Sequence, residues 1–106
     1  MSTEFENKDG IFFIRPEGAM NAMTCPPLQE EILGQIDDSA ERLVLDLTKV
    51  PFVSSQGLRV VIHVSRRAPK GTKLVVCGLS EQIHQMFELA GLDRLVDIQP
   101  NAEAVS

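Results

Sequence analysis

Two short apolar runs with a helical segment between them constrain this chain more than any other feature of its sequence. Residues 43–47 and 73–77 are nearly continuous apolar runs, which are typical of strands buried on both faces of a sheet. The segment between them has apolar residues at helical spacing, and a helix is the usual connection between parallel neighbouring strands. The sequence therefore predicts a β-α-β unit within a layered α/β fold.

The rest of the chain continues the alternation of strands and helices. Asp9-Gly10 suits the positive φ values of a tight hairpin turn, and Gly91 suits the left-handed position after a helix. The predicted elements are a hairpin of strands 2–7 and 11–17, helices that begin near Thr24, at 54–55 and at 80–81, a strand at 95–98, and the start of a final helix at 101–105. We expect residues 1–106 to form one domain, with a mixed sheet of about five strands and helices packed on one side.

Helical spacing also assigns an inward face to each predicted helix. The faces are Leu28, Ile32, Leu33 and Ile36 for the first helix, Leu58, Val61, Ile62 and Ser65 for the second, and Ile83, Met86, Phe87 and Ala90 for the third. On the second helix, an outward stripe then holds Ser55, Arg59, His63 and either Arg66 or Arg67.

Composition excludes several classes of protein. The chain has 106 residues, of which 43% are hydrophobic, and it holds no apolar run near the roughly 20 residues that cross a bilayer. The polar start MSTEFENKDG lacks the features of a secretory signal, so we expect a cytoplasmic protein. Cys25 and Cys77 are far apart and form no CxxC unit, so we expect neither a disulfide framework nor a metal site.

The charges are unevenly distributed along the chain. The net charge of −5 argues against direct binding to nucleic acid or to an anionic membrane. Residues 1–50 hold 4 basic and 10 acidic side chains, whereas residues 51–106 hold 6 and 5. No acid lies between Asp46 and Glu81, which points to an acidic or ATP-bearing protein partner at the Ser55 end of the second helix. The alternative is that these basic side chains form only a solvated helix face.

Ser54 and Ser55 lie at the entrance to the second helix. The start of a helix offers unpaired N–H groups and the positive end of the helix dipole, which favour a phosphate there. A serine at this position can also serve simply as the helix cap. Both interpretations can hold together, because a capping hydroxyl at an exposed turn is accessible to a kinase.

Catalysis is poorly supported by the sequence. A serine nucleophile needs a nearby base, and the chain has only His63 and His84. His63 lies eight residues beyond Ser55 on the same predicted helix, about 12 Å along its axis, which is too far for a hydrogen bond. No phosphate-binding loop or dinucleotide motif is present, so we expect no enzymatic activity and no cofactor.

Three segments carry a family resemblance that covers nearly the whole chain. The segments LVLDLTKVPFVSSQGL (43–58), GTKLVVCGL (71–79) and MFELAGL (86–92) resemble STAS domains of bacterial anti-sigma factor antagonists, as does the loop GAMN (18–21). The resemblance implies a mixed sheet with helices on one side. It also implies a regulatory protein whose unphosphorylated form binds an anti-sigma factor with serine kinase activity, and which a serine phosphatase restores after phosphorylation.

The resemblance assigns roles to individual residues. It places the phosphate acceptor two residues before the motif glycine, on Ser55, with Ser54 as the alternative. It implies a partner surface formed by Asn21, Ser54, Ser55, Gln56, Gly57 and Arg59.

Three positions depart from the family pattern. Ser54 stands where Asp is usual, Gln56 stands where Ser or Thr is usual, and Asn21 stands where an acid is often seen. The loss of two carboxylates makes the corner less negative, which could ease recognition of a phosphate or remove a cap or a kinase contact. A STAS scaffold or sensor component without reversible phosphorylation is therefore the alternative hypothesis.

Overall fold

The computed structural model describes residues 1–105, and its central feature is a mixed sheet of five strands within that range. In spatial order the strands are β1 (Ser2–Lys8), β2 (Ile11–Glu17), β3 (Arg42–Asp46), β4 (Val75–Cys77) and β5 (Asp97–Gln99). β1 and β2 form an antiparallel hairpin, and each later pair of neighbours is parallel. The predicted hairpin, its Asp9-Gly10 turn with positive φ at both residues, and the parallel β3–β4 pair are confirmed.

Three α-helices in this range cover one face of the sheet. They are α1 (Cys25–Gln35), α2 (Ser55–Ser65) and α3 (Glu81–Leu89). Their buried residues form one core with alternate residues of the strands, including Ile14, Leu45 and Val76. The predicted fold class, a mixed sheet with helices packed on one side, is therefore confirmed.

The inward faces of two helices were predicted partly wrong. In α2, Gly57, Val60, Val61 and Val64 are buried, whereas Leu58 and Ile62 are partly buried and pack against the core, and Ser65 is partly buried. The helix is thus turned so that its glycine faces the core, which lets the backbone approach closely. In α3, Ile83 and Phe87 are buried, but Met86 is partly exposed and Ala90 is exposed because the helix has already ended at Leu89.

The last predicted elements also differ from the structure. β5 begins at Asp97 instead of residue 95, because residues 92–94 form a 3-10 turn whose hydrogen bonds extend to Leu95 and Val96. β4 contains residues 75–77 only, and the amine of Lys73 donates to the carbonyl of Arg94 at 3.0 Å. The final predicted helix is a single 3-10 turn, Ala102–Ala104. None of the helices within residues 1–105 has the length and apolar composition needed to cross a membrane.

Candidate functional site

Two loops at the carboxyl ends of the parallel strands are joined and together position the start of α2. Met20 and Val53 form a parallel bridge between the loop after β2 and the loop after β3. The Met20 amide donates to the Phe52 carbonyl at 2.8 Å, and the Ser54 amide donates to the Met20 carbonyl at 2.8 Å. The backbone before Ser55 is therefore fixed from both sides.

The two serines predicted at this point have different environments. Ser54 is the N-cap of α2, is partly buried, and its Oγ accepts from the Gly57 amide at 3.3 Å. Ser55 is the first residue of the helix, is exposed, and its Oγ donates to Oε1 of Gln56 at 3.3 Å. The Ser54 hydroxyl is thus used by the fold, whereas the Ser55 hydroxyl faces solvent beside an exposed amide.

Gly57 is buried and shapes this corner by its lack of a side chain. A Cβ at this position would lie 2.6 Å from Cγ1 of Val53 and 3.2 Å from Cβ of Met20. Both distances are shorter than ordinary van der Waals contact. Glycine here allows the first turn of α2 to pack directly on the bridge between the two loops.

Asn21 organises the turn that precedes α1. Its Oδ1 accepts from the amides of Met23 and Thr24 at 2.9 and 3.0 Å. In return, Oγ1 of Thr24 accepts from the Asn21 amide at 2.9 Å and donates to the Ala19 carbonyl at 2.7 Å. Because the Asn21 side chain takes part in this turn through its oxygen as an acceptor, it makes the same capping contacts that an aspartate would make, without the negative charge.

The basic stripe of α2 divides into two parts. Arg59 is exposed, one turn after Ser55. At the other end, Arg67 pairs with Asp38 at 2.8 Å and lies 3.4 Å from the Leu33 carbonyl, so it is tied to the end of α1. Of the other predicted stripe residues, His63 is partly buried and Arg66 is exposed at the end of the helix, so exposed basic side chains lie at both ends of α2.

Two exposed apolar residues lie at the same edge and were not predicted. Met23 is 86% exposed in the turn before α1, and Phe52 is 53% exposed in the loop before α2. The sequence did hold a signal for both residues, because each lies in a loop outside the periodic apolar pattern. Because the Met20–Val53 bridge joins the two loops that carry them, we group Met23 and Phe52 with Ser55, Gln56 and Arg59 as the α2 edge surface.

A nucleophilic serine needs a base that accepts its proton, so the hydrogen-bond partner of Ser55 is informative. Its hydroxyl donates to an amide oxygen and not to a histidine. Within residues 1–105, no cluster of three or more His, Cys, Asp or Glu side chains could hold a metal ion. Both cysteines are buried, and burial raises the pKa of the Cys77 thiol to about 12, so that thiol stays protonated at neutral pH.

Known proteins are similar to this chain over nearly its whole length. The family model described as STAS domain matches residues 2–105. The chain belongs to the STAS domain family. BtrV of Bordetella bronchiseptica, whose name describes an anti-sigma factor antagonist, is 31% identical over 108 residues, which cover all of this chain and 92% of that protein.

Solved STAS structures share the fold described above. An anti-sigma factor antagonist from Mycobacterium paratuberculosis is 27% identical with a TM-score of 0.87, covering 97% of this chain and 88% of that chain. The anti-sigma factor antagonist SpoIIAA in its unphosphorylated form is 16% identical with a TM-score of 0.76, covering 98% and 93%. SpoIIAA in its phosphorylated form, described as a Bacillus cell fate determinant, is 17% identical with a TM-score of 0.69, covering 98% and 96%.

Proposed function

We propose that this STAS protein is an anti-sigma factor antagonist that binds an anti-sigma factor through the α2 edge surface. BtrV and the Mycobacterium paratuberculosis protein, which match 97% or more of this chain, carry that description in their names. Proteins of this kind are regulatory binding modules, which agrees with the absence of a paired nucleophile and base around Ser55. The anti-sigma factor is proposed to carry serine kinase activity, and a serine phosphatase completes the cycle in the cytoplasm.

The proposed phosphate acceptor is Ser55, and its exposure at the first residue of α2 is the observation that carries the proposal. The neighbouring Ser54 hydroxyl is the helix cap, so Ser54 would have to give up its hydrogen bond with the Gly57 amide to enter the active site of a kinase. SpoIIAA, a protein of the same fold, has been described in both phosphorylated and unphosphorylated forms. A phosphate is therefore compatible with this architecture without a change of fold.

The α2 edge surface suits a partner with apolar and acidic side chains. Met23 and Phe52 offer exposed apolar area, and Arg59 offers a positive charge with no acid on its own helix. Asn21, Ser54 and Gly57 support this surface from behind by capping and by close packing. Large apolar side chains with an arginine nearby are typical of the residues that dominate binding energy at interfaces.

The charge of a phosphate on Ser55 would prevent the anti-sigma factor from binding to the α2 edge surface. A phosphoserine adds about −1.5 to −2 charges at neutral pH. At Ser55 that charge would stand beside Phe52 and Gln56 and would meet the acidic groups that the partner is expected to bring. Desolvation of the phosphate and repulsion would then oppose docking, while the fold remains intact.

Incubation of the purified protein with the purified anti-sigma factor kinase of its source organism and ATP tests this proposal. We expect mass spectrometry to find one phosphate per chain, located on Ser55. Ser55→Ala should abolish it, whereas the matched variant Ser54→Ala should still be phosphorylated.

Two outcomes would overturn the assignment of the acceptor. A phosphate that persists in Ser55→Ala would place the modification elsewhere. A wild-type chain that binds the anti-sigma factor but takes no phosphate would favour the scaffold alternative.

A further inference from the structure

The face of the sheet opposite the helices has an apolar cluster of its own. Phe13, Val44, Val75 and Cys77 are buried there, whereas the buried residues of the three helices pack on the other face. Among residues 1–105, the partly buried apolar residues that pack on this cluster are Ile11, Ala102 and Val105. Because Ile11 belongs to β2, the cover from outside the sheet is the segment after β5.

This segment, residues 100–105, lies across the cluster as a strap. In the described part of the chain, the hydrogen bonds of the strap join one strap residue to another. The Ala104 amide donates to Oδ1 of Asn101 at 3.0 Å, and the Val105 amide donates to the Ala102 carbonyl at 3.2 Å. Cavities of about 690 and 420 Å³ border the strap, and each is lined by Arg15, Ala102 and Glu103. The strap therefore contacts the sheet mainly through two small apolar side chains, with open space beside it.

The ion pairs described beside the cluster join side chains of the sheet. The Arg15 guanidinium lies 4.7 Å from the centre of the Phe13 ring and pairs with Glu6 at 2.9 Å. It also lies 3.6 Å from Asp46. These contacts would persist if the strap moved, so the sheet does not need the strap for its ion pairs.

We propose that the strap opens from the sheet while the domain stays folded, uncovering an apolar surface formed by Phe13, Val44, Val75 and Cys77. Segments with few buried apolar contacts open at lower free energy than the core of a domain. Opening would join the two cavities into one groove over the cluster. The strap is thus a movable cover over the face of the sheet opposite the three helices.

Cys77 provides a direct report of this opening. Its side chain is buried in the cluster on which the strap packs, and burial, assisted by the nearby Asp46, raises its thiol pKa to about 12. Reaction with N-ethylmaleimide needs an accessible thiolate, so the closed state protects Cys77. Cys25 is buried in the core on the helix side and serves as an internal control.

The experiment measures labelling of both thiols by N-ethylmaleimide at pH 8, in urea concentrations below the unfolding transition, with peptide mass spectrometry as the readout. We expect Cys77 to react faster than Cys25 and with a weaker dependence on urea, because strap opening exposes much less surface than global unfolding. A Cys77 rate that matches that of Cys25 at every urea concentration would overturn the proposal.

A matched pair of variants tests the strap contact itself. Ala102 packs on the cluster, whereas Ala104 lies exposed on the same turn. We expect Ala102→Asp to raise the Cys77 rate by at least about tenfold, because a carboxylate is disfavoured in an apolar contact, and Ala104→Asp to change it by less than about twofold. Both variants should keep the far-ultraviolet circular dichroism of the wild type. Equal effects of the two variants, or loss of the fold in Ala102→Asp, would contradict a separable strap.

Discussion

At the scale of single residues, the adjacent serines at the start of α2 have different roles because their backbone positions differ. Ser54 is extended and turns its hydroxyl back to the Gly57 amide, while Ser55 has entered the helix and turns its hydroxyl outward. The sequence identified the pair and allowed either serine to cap the helix. The sequence could not show which serine is the cap, because a shift of the helix start by one residue changes which hydroxyl reaches the unpaired backbone N–H groups of the first turn.

The stability of serine variants should reveal this difference. Ser54→Ala removes the cap and should lower the free energy of unfolding by about 1 kcal/mol. Ser55→Ala removes only an exposed contact with Gln56 and should change it by less than about 0.5 kcal/mol. Urea denaturation followed by circular dichroism measures both values. Equal losses in the two variants would show that the cap is assigned wrongly.

At the scale of the element, α2 is positioned by its glycine and not by its apolar spacing alone. The prediction had Leu58, Val61, Ile62 and Ser65 facing inward, but the buried face is centred on Gly57, Val60, Val61 and Val64. Periodicity located the helix and its approximate face. It could not show that Gly57 would be drawn against Val53, because that contact depends on how the two loops pair.

Two glycine variants test whether close packing sets the position of α2. Gly57→Ala would put a Cβ 2.6 Å from Val53 and should lower the free energy of unfolding by about 1–3 kcal/mol. The control Gly34→Ala lies in α1 with no atom within 4 Å of the added Cβ, and should raise stability by about 0.5–1 kcal/mol. Thermal and urea denaturation give both values. A neutral Gly57→Ala would mean that α2 can shift without cost.

At the scale of the whole molecule, the start of α2 and the strap lie in different parts of the fold: α2 packs on one face of the sheet and the strap on the other. The acid-free segment predicted a partner surface at the Ser55 end of α2, and at the other end of that helix Arg67 pairs with Asp38 of the segment after α1. The sequence predicted the mixed sheet and the side on which the helices pack. It did not predict the strap, because residues 100–105 hold too few apolar residues for their packing to be seen in a pattern.

The central claim is that charge at Ser55 controls binding of an anti-sigma factor. Titration calorimetry of the purified anti-sigma factor with the wild type, Ser55→Asp and Ser39→Asp tests it most directly, because Ser39 is exposed beyond the end of α1 and receives the same charge. We expect Ser55→Asp to weaken binding by at least about tenfold and Ser39→Asp to leave the affinity within about twofold of the wild type. Equal affinities for the wild type and Ser55→Asp, or equal losses in the two variants, would contradict the account.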